Sequence, residues 1–244
     1  QNCDLFAARY GYRPRIHRGH WLVWPGHVDH ARSLQDAGIT LDANFTAGWG
    51  FKGGYVNGTG LPARFVDEDG RLLDVYEQST ISTDDGWLTP KGGRPAHTLA
   101  EAISRSCTMI DDAVDRYHTV YHPYFHPRPI KGGGAIPYPT RPWLDSVAAH
   151  ARRRAIPYLD AEKWLDWNAA RRSISLTSLD HAANQISCRL HAKAGAESIT
   201  VLLPLPHGAT GDHVVARHGR PYASHTLTIR AGETLDVTLS TAGA

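Results

Sequence analysis

The sequence predicts an α/β region followed by a small all-β region. Three observations predict it. Strands alternate with helical stretches before about Arg172, the pattern of an α/β architecture with a parallel sheet. Short segments after that point alternate apolar and polar residues and are separated by turn chemistry, as in a small β-sandwich. All seven Trp, all five Phe and nine of ten Tyr lie before residue 168, leaving only Tyr222 in the last part. The expected domains are therefore 1–171 and 172–244.

In the first region, Val28 to Ala37 predicts a short helix ended by Gly38, and Ile39 to Phe45 a strand. Tyr55 to Gln78 predicts a β-rich excursion. In it, Glu68-Asp69-Gly70 turns between strands Ala63–Val66 and Leu72–Tyr76. Leu99, Ile103, Met109, Ile110 and Val114 give Thr98 to Val114 a helical face. Tyr117 to His122 reads as a strand stopped by Pro123. Trp143–Arg154 and Ala161–Arg171 read as helices, and Ile156–Leu159 between them as a short strand. In the second region, strands are expected near 173–179, 186–190, 199–203, 226–229 and 234–239.

Composition excludes several classes. In 244 residues, 41% are hydrophobic and 20% charged, which is incompatible with wholesale disorder. No apolar run is long enough for a transmembrane helix. A net charge of +2 with scattered basic residues argues against nucleic acid as a partner. Cys3, Cys107 and Cys188 are too few and too dispersed for a disulfide framework or a cysteine zinc site. The chain starts at Gln1 without a signal-peptide pattern, and the expectation is a processed form or a piece of a longer protein.

Fifteen His are high for this length, and chemistry in parallel α/β sheets collects at the carboxyl ends of strands. Three places fit. His17 and His20 have H-x-x-H spacing, repeated by His27 and His30, and are candidate metal ligands if Gly19 turns the chain between them. The alternative is surface or hydrogen-bonded histidine. Asp42 in Leu41-Asp-Ala-Asn-Phe45 can act as a base or orient a histidine, or simply cap a turn. Asp84-Asp85-Gly86-Trp87 has the same ambiguity, with a solvated loop as its ordinary reading. Val120-Tyr-His122 delivers a histidine to a strand end, with His126 following and a Lys131-Gly-Gly-Gly134 loop able to close over a ligand. Trp21, Trp24, Trp49, Tyr55 and Trp87 offer sugar-stacking faces, against the usual fate of Trp in a core.

The run Arg18-Gly-His-Trp21, Trp24-Pro-Gly26 and Gly38-Ile-Thr-Leu-Asp-Ala-Asn-Phe45 resembles a branch of the NodB-like polysaccharide deacetylase superfamily, carbohydrate esterase family four and its relatives. The resemblance continues through Gly58 to Gly70, Asp74-Val-Tyr-Glu-Gln78 and Thr80 to Asp84, and resumes from Ala155 to Asn168. It implies a partial distorted (β/α) barrel, corresponding to the later part of that fold, followed by the β domain. It implies a hydrolase acting on the C–N bond of N-acetylated sugars with Zn2+ or another divalent metal. His122 would be the general acid and Arg18 an orienting residue, with Asp42 and Asp84 also in the catalytic group. Trp21, Trp24, Trp87 and His126 would contact a polysaccharide or N-acetylated glycan. The family's Asp-Asp strand and H-x-x-x-H motif precede the Arg motif and are not among the 17 residues before Arg18. The expectation is thus an incomplete chain whose metal site belongs to a longer parent, with none in this chain as written. An extracellular or cell-envelope location is expected with such a substrate. Two other readings stand beside it. One is a noncatalytic carbohydrate-binding protein on a degenerate barrel. The other is a glycoside hydrolase using Asp42 and Asp84 as paired carboxylates.

Overall fold

A computed structural model describes residues 2–46, 60–90, 96–130, 138–182, 185–210, 214–217 and 219–240. Trp49, Tyr55 and the Lys131–Gly134 loop lie outside the described residues. The chain divides into two compact units, Gln1–Tyr158 and Leu159–Ala244. The division falls one helix earlier than the aromatic boundary suggests. Trp167 and Ala170, in helix 161–172, pack into the core of the second unit, so that helix belongs to it.

Unit 1 opens with α1 (Asn2–Tyr10), β1 (Ile16–His17), α2 (Asp29–Asp36) and β2 (Leu41–Asp42). The hairpin β3 (Ala63–Val66) and β4 (Leu72–Glu77) follows, then β5 (Ser82–Thr83) and α3 (Asp84–Trp87). α4 (Leu99–Asp112), β6 (Pro123–Tyr124), α5 (Pro127–Ile130) and α6 (Thr140–Arg153) complete it. β1, β2 and β4 are parallel neighbours, and β3 pairs antiparallel on the outer edge of β4. A parallel bridge between Thr46 and Thr80 extends the β2–β4 pairing, and β5 pairs parallel with β6. The unit is mixed α/β as expected, but the described strands do not close into a barrel.

Two apolar clusters hold these strands. Ala31, Leu34, Ile39, Phe65, Leu73 and Val75 seat α2 on the hairpin. Leu88, Ala102, Ile110, Trp143 and Val147 join α4 to α6. α4 starts where its sequence says, because Thr98 and Glu101 form a reciprocal capping box, a motif worth about 1 kcal/mol. Fully buried Trp143 donates its indole N–H to Ser106 Oγ at 3.0 Å. Tyr121 donates to the same hydroxyl at 2.9 Å and sits 2.5 Å from Ser82 Oγ, so these core hydroxyls are satisfied.

Two expected strands are absent. No strand forms over Tyr117–His122: the helix runs on as a π-type turn over Ala113–Tyr117 and ends on left-handed His118, whose successor Thr119 donates to Ala113 O. Pairing then begins at Pro123 instead of stopping there. Ile156–Leu159 is also unpaired. Ala155 takes a left-handed φ of 51° and Ile156 N returns to Ala151 O, a helix C-terminal turn.

Unit 2 contains α7 (Ala161–Arg172), capped by Asp160 accepting from Lys163 N at 2.7 Å. Its strands are β7 (Ile174–Ala182), β8 (Gln185–Ala192), β9 (Ala196–Pro204), β10 (Val214–Arg217), β11 (Arg220–Ile229) and β12 (Thr234–Ser240). They form two antiparallel sheets, β10-β11-β9 and β12-β8-β7. Ile186, Cys188, Leu190 and Ala192 alternate inward on β8 and meet Ile199, Leu203, Ala223 and Ile229 of the other sheet. This is the expected sandwich, with β10 as a strand the sequence reading did not anticipate. All three cysteines are free thiols.

Candidate functional site

The parallel strands of unit 1 release a charged or imidazole side chain at almost every carboxyl end. β1 ends on His17 and leads to Arg18; β2 ends on Asp42; β4 ends on Glu77; β5 leads to Asp84; β6 leads to His126. This is where an open parallel sheet places chemistry.

The side chains are linked one to the next. His17 Nδ1 lies 2.6 Å from Asp42 Oδ1, and Asp42 is fully buried. Asp42 Oδ2 accepts from Asn44 N at 3.0 Å. Asn44 Oδ1 in turn accepts from Gly19 N at 2.6 Å. A Cβ at Gly19 would meet the Asn44 amide at 3.2 Å, so the turn after Arg18 favours glycine. The rings of His17 and His30 meet edge-on at 5.4 Å. Burial and the neighbouring His17 hold His30 below its ordinary pKa, against the pull of Asp42.

Arg18 bridges the next strands. Its Nε donates to Ala43 O at 3.3 Å, and Nη2 lies 3.0 Å from His122 Nε2. Its guanidinium carbon sits 5.0 Å above the Tyr124 ring. A guanidinium only donates, so His122 Nε2 is the acceptor and the ring is neutral with its proton on Nδ1. Burial, reinforced by the Arg18 charge, pulls the His122 pKa down to about 4, opposed by the backbone carbonyls of Ser79 and Gln78.

Tyr124 continues the chain, its hydroxyl 3.2 Å from His126 Nε2. His126 Nδ1 lies 2.8 Å from Asp84 Oδ1. Asp84 is fully buried and also accepts from His126 N at 2.9 Å, Thr140 Oγ1 at 3.0 Å and Asp85 N at 2.8 Å. Asp84, Asp85 and His126 each offer one ligand atom within 4.8 Å of the others, a group able to hold a metal ion. Two carboxylates and an imidazole suit Zn2+ or a similar divalent cation.

The expected site residues separate into two sets. Arg18, His122, Asp42, His17, Asp84 and His126 are joined in this network. His20 is exposed on a 3-10 turn (His20–Leu22), and the three-ligand group among the described residues does not include it or His17. The ligand set with the best geometry is therefore Asp84, Asp85 and His126. Trp21 is 80% exposed, held out by left-handed backbone at Trp21 and Leu22. Trp24 is half-buried against the first apolar cluster: it stacks on Phe65 at 5.0 Å and 11° and donates to His27 O. Trp87 packs near Trp143 and His97. Asp42 and Asp84 are each enclosed and bonded to their own histidine, rather than facing an open cleft as a glycosidase pair.

Sequence reasoning missed Glu77. It is fully buried, its Oε1 accepts from Phe45 N at 2.9 Å, and strand register sets it beside Asp42. Burial and Asp42 push its carboxyl well above the usual range, against the Phe45 and Asn44 amides. The signal was the alternation Leu73, Val75, Glu77 on the inward face of β4. Asp85 was visible only as part of the Thr-Asp-Asp-Gly turn.

No family model and no curated protein matches the chain. Among the described residues, no helix is long and apolar enough to cross a membrane.

Proposed function

We propose that unit 1 carries the hydrolytic centre of a carbohydrate-active enzyme resembling metal-dependent polysaccharide N-deacetylases, with an N-acetylated glycan as substrate. The observation that carries this reading is the linked series His17–Asp42, Arg18–His122, Tyr124 and His126–Asp84, gathered where parallel strands end, with His122 entering from the amino end of β6. A divalent cation held by Asp84, Asp85 and His126 would supply Lewis acidity at the amide carbonyl. Arg18 keeps donors for a developing oxyanion while it rests against His122 and the Tyr124 ring. Neutral His122 can take a proton at Nε2 when Arg18 turns toward substrate. An acid role for His122 therefore comes after it has been a base. Asp42 holds the His17 ring in one orientation for a second proton transfer. A polymeric glycan substrate goes with an extracellular or cell-envelope location.

Glycan binding without turnover is a second reading, favoured by the exposure of Trp21 beside this network. Acetate release from N-acetylated oligosaccharides separates the two. The expected result is release that is lost on chelation and falls at least about 100-fold in His122→Ala, with oligosaccharide affinity retained. Affinity without any release supports the second reading, and release unaffected by His122→Ala removes that residue from the chemistry.

A further inference from the structure

Asp42 and Glu77 face each other across two parallel strands, and neither side chain reaches solvent. Both oxygens of Asp42 are bonded: Oδ1 meets His17 and Oδ2 meets the Asn44 amide. Glu77 Oε1 meets the Phe45 amide, but Oε2 is enclosed with no donor among the described residues directed at it. An ionised carboxylate buried with a bare oxygen beside a second carboxylate is costly. One shared proton removes both faults, because a protonated Oε2 becomes a donor, and Asp42, its register partner on the neighbouring strand, interacts with Glu77 side chain to side chain and can accept.

We propose that Glu77 is a positioning residue of the site, held as the neutral acid and donating from Oε2 to Asp42, so that the pair carries one negative charge directed at His17.

Among the described residues, the titratable and charged groups facing the pair are His17, His30 and Arg18. His17 lies on one side, with His30 behind it. Arg18 lies on the other and feels the charges of both Asp42 and Glu77, while its guanidinium is directed to Ala43 O and His122. The competing arrangement has both carboxyls ionised, balanced by Arg18 and a protonated His17. The two arrangements differ by where one proton resides, which solution measurements can read. The protonated state of Glu77 depends on geometry alone; only its consequence for turnover rests on the hydrolase reading above.

The test uses the full chain with 13C-carboxyl-labelled glutamate. The Glu77 resonance is assigned by its loss in Glu77→Gln. The expected result is a carboxyl shift typical of a protonated acid from about pH 5 to about pH 8, when ordinary glutamates are ionised. A second readout is the pH profile of unfolding. A folded-state pKa raised above the unfolded one makes stability fall as pH climbs from the ordinary glutamate range toward alkaline pH, because the folded state then binds more protons. Glu77→Gln, which keeps the shape and an N–H donor, should flatten that fall and leave turnover within about 3-fold, about 0.7 kcal/mol. Glu77→Leu, which fills the space but donates nothing, should lower it at least about 10-fold. A Glu77 resonance of the ionised type at neutral pH overturns the proposal, as does a Glu77→Gln variant with an unchanged unfolding profile. If the wild-type chain releases no acetate, the hydrolase reading fails while the resonance still decides the state of Glu77.

Discussion

The two units solve the burial problem in opposite ways. Unit 2 encloses an almost wholly apolar core between two antiparallel sheets; Asn168 on α7 is its one buried polar side chain among the described residues. Unit 1 has short strands of two to six residues and buries a run of polar groups along them: Asp42, Asn44, Glu77 through Thr80, and Ser82 through Asp84. Buried polar groups cost stability unless every partner is supplied, so a fold acquires them where they have work to do. Unit 2 has the composition of a packing module. Unit 1 spends part of its interior holding carboxylates and imidazoles in place.

Truncating one residue in each unit tests that contrast with the largest effect. Asp84→Ala leaves the Thr140 hydroxyl and the backbone N–H groups of His126 and Asp85 without their acceptor. It should destabilise unit 1 by about 3–5 kcal/mol and abolish any acetate release. Leu190→Ala, in the middle of the sandwich core, should cost about 2–5 kcal/mol in the transition of unit 2 alone and leave release unchanged. Denaturant unfolding followed unit by unit reads both. Loss of release in Leu190→Ala under conditions where unit 2 remains folded would break the contrast.

A smaller effect is pH-linked. The His122 pKa is pulled down to about 4 in the folded chain, so below the ordinary histidine range the unfolded state binds more protons. Its contribution is complete above about pH 6.5 and is lost as pH falls toward 4, by at most about 3 kcal/mol. His122→Gln should flatten that part of the unfolding profile for unit 1. An unchanged slope would mean that His122 is solvated and its link to Arg18 is weak.

Much of this was legible in the sequence wherever local chemistry decides local structure. The α2 and α6 helices follow from apolar spacing, α4 from spacing with its Thr98–Glu101 capping box, α7 from its Asp160 cap, the β3–β4 hairpin from Glu68-Asp69-Gly70, and the sandwich from alternation. Tyr117–His122 was not legible as it stands. Thr119, Val120 and Tyr121 have strand propensity, but continuation of the α4 helix into a π turn and the left-handed His118 decide its path. The strand-end rule points to Asp42, Asp84 and His126, and to His122 through a strand that does not form, while Arg18 comes from the family resemblance; neither shows the pairings. Those depend on register across strands 25 to 104 residues apart in sequence, which no local pattern encodes. Glu77 was hidden in plain alternation: its position reads as core, and its side chain as surface.

The most direct measurement of where function lies is backbone chemical-shift mapping on the whole chain during titration with an N-acetylglucosamine oligomer. Perturbations are expected at the strand ends of unit 1, around Arg18, Trp21, Tyr124 and His126, with the β7–β12 resonances unmoved. Perturbations concentrated on the strands of unit 2, with the unit 1 network silent, would place glycan recognition in unit 2 instead.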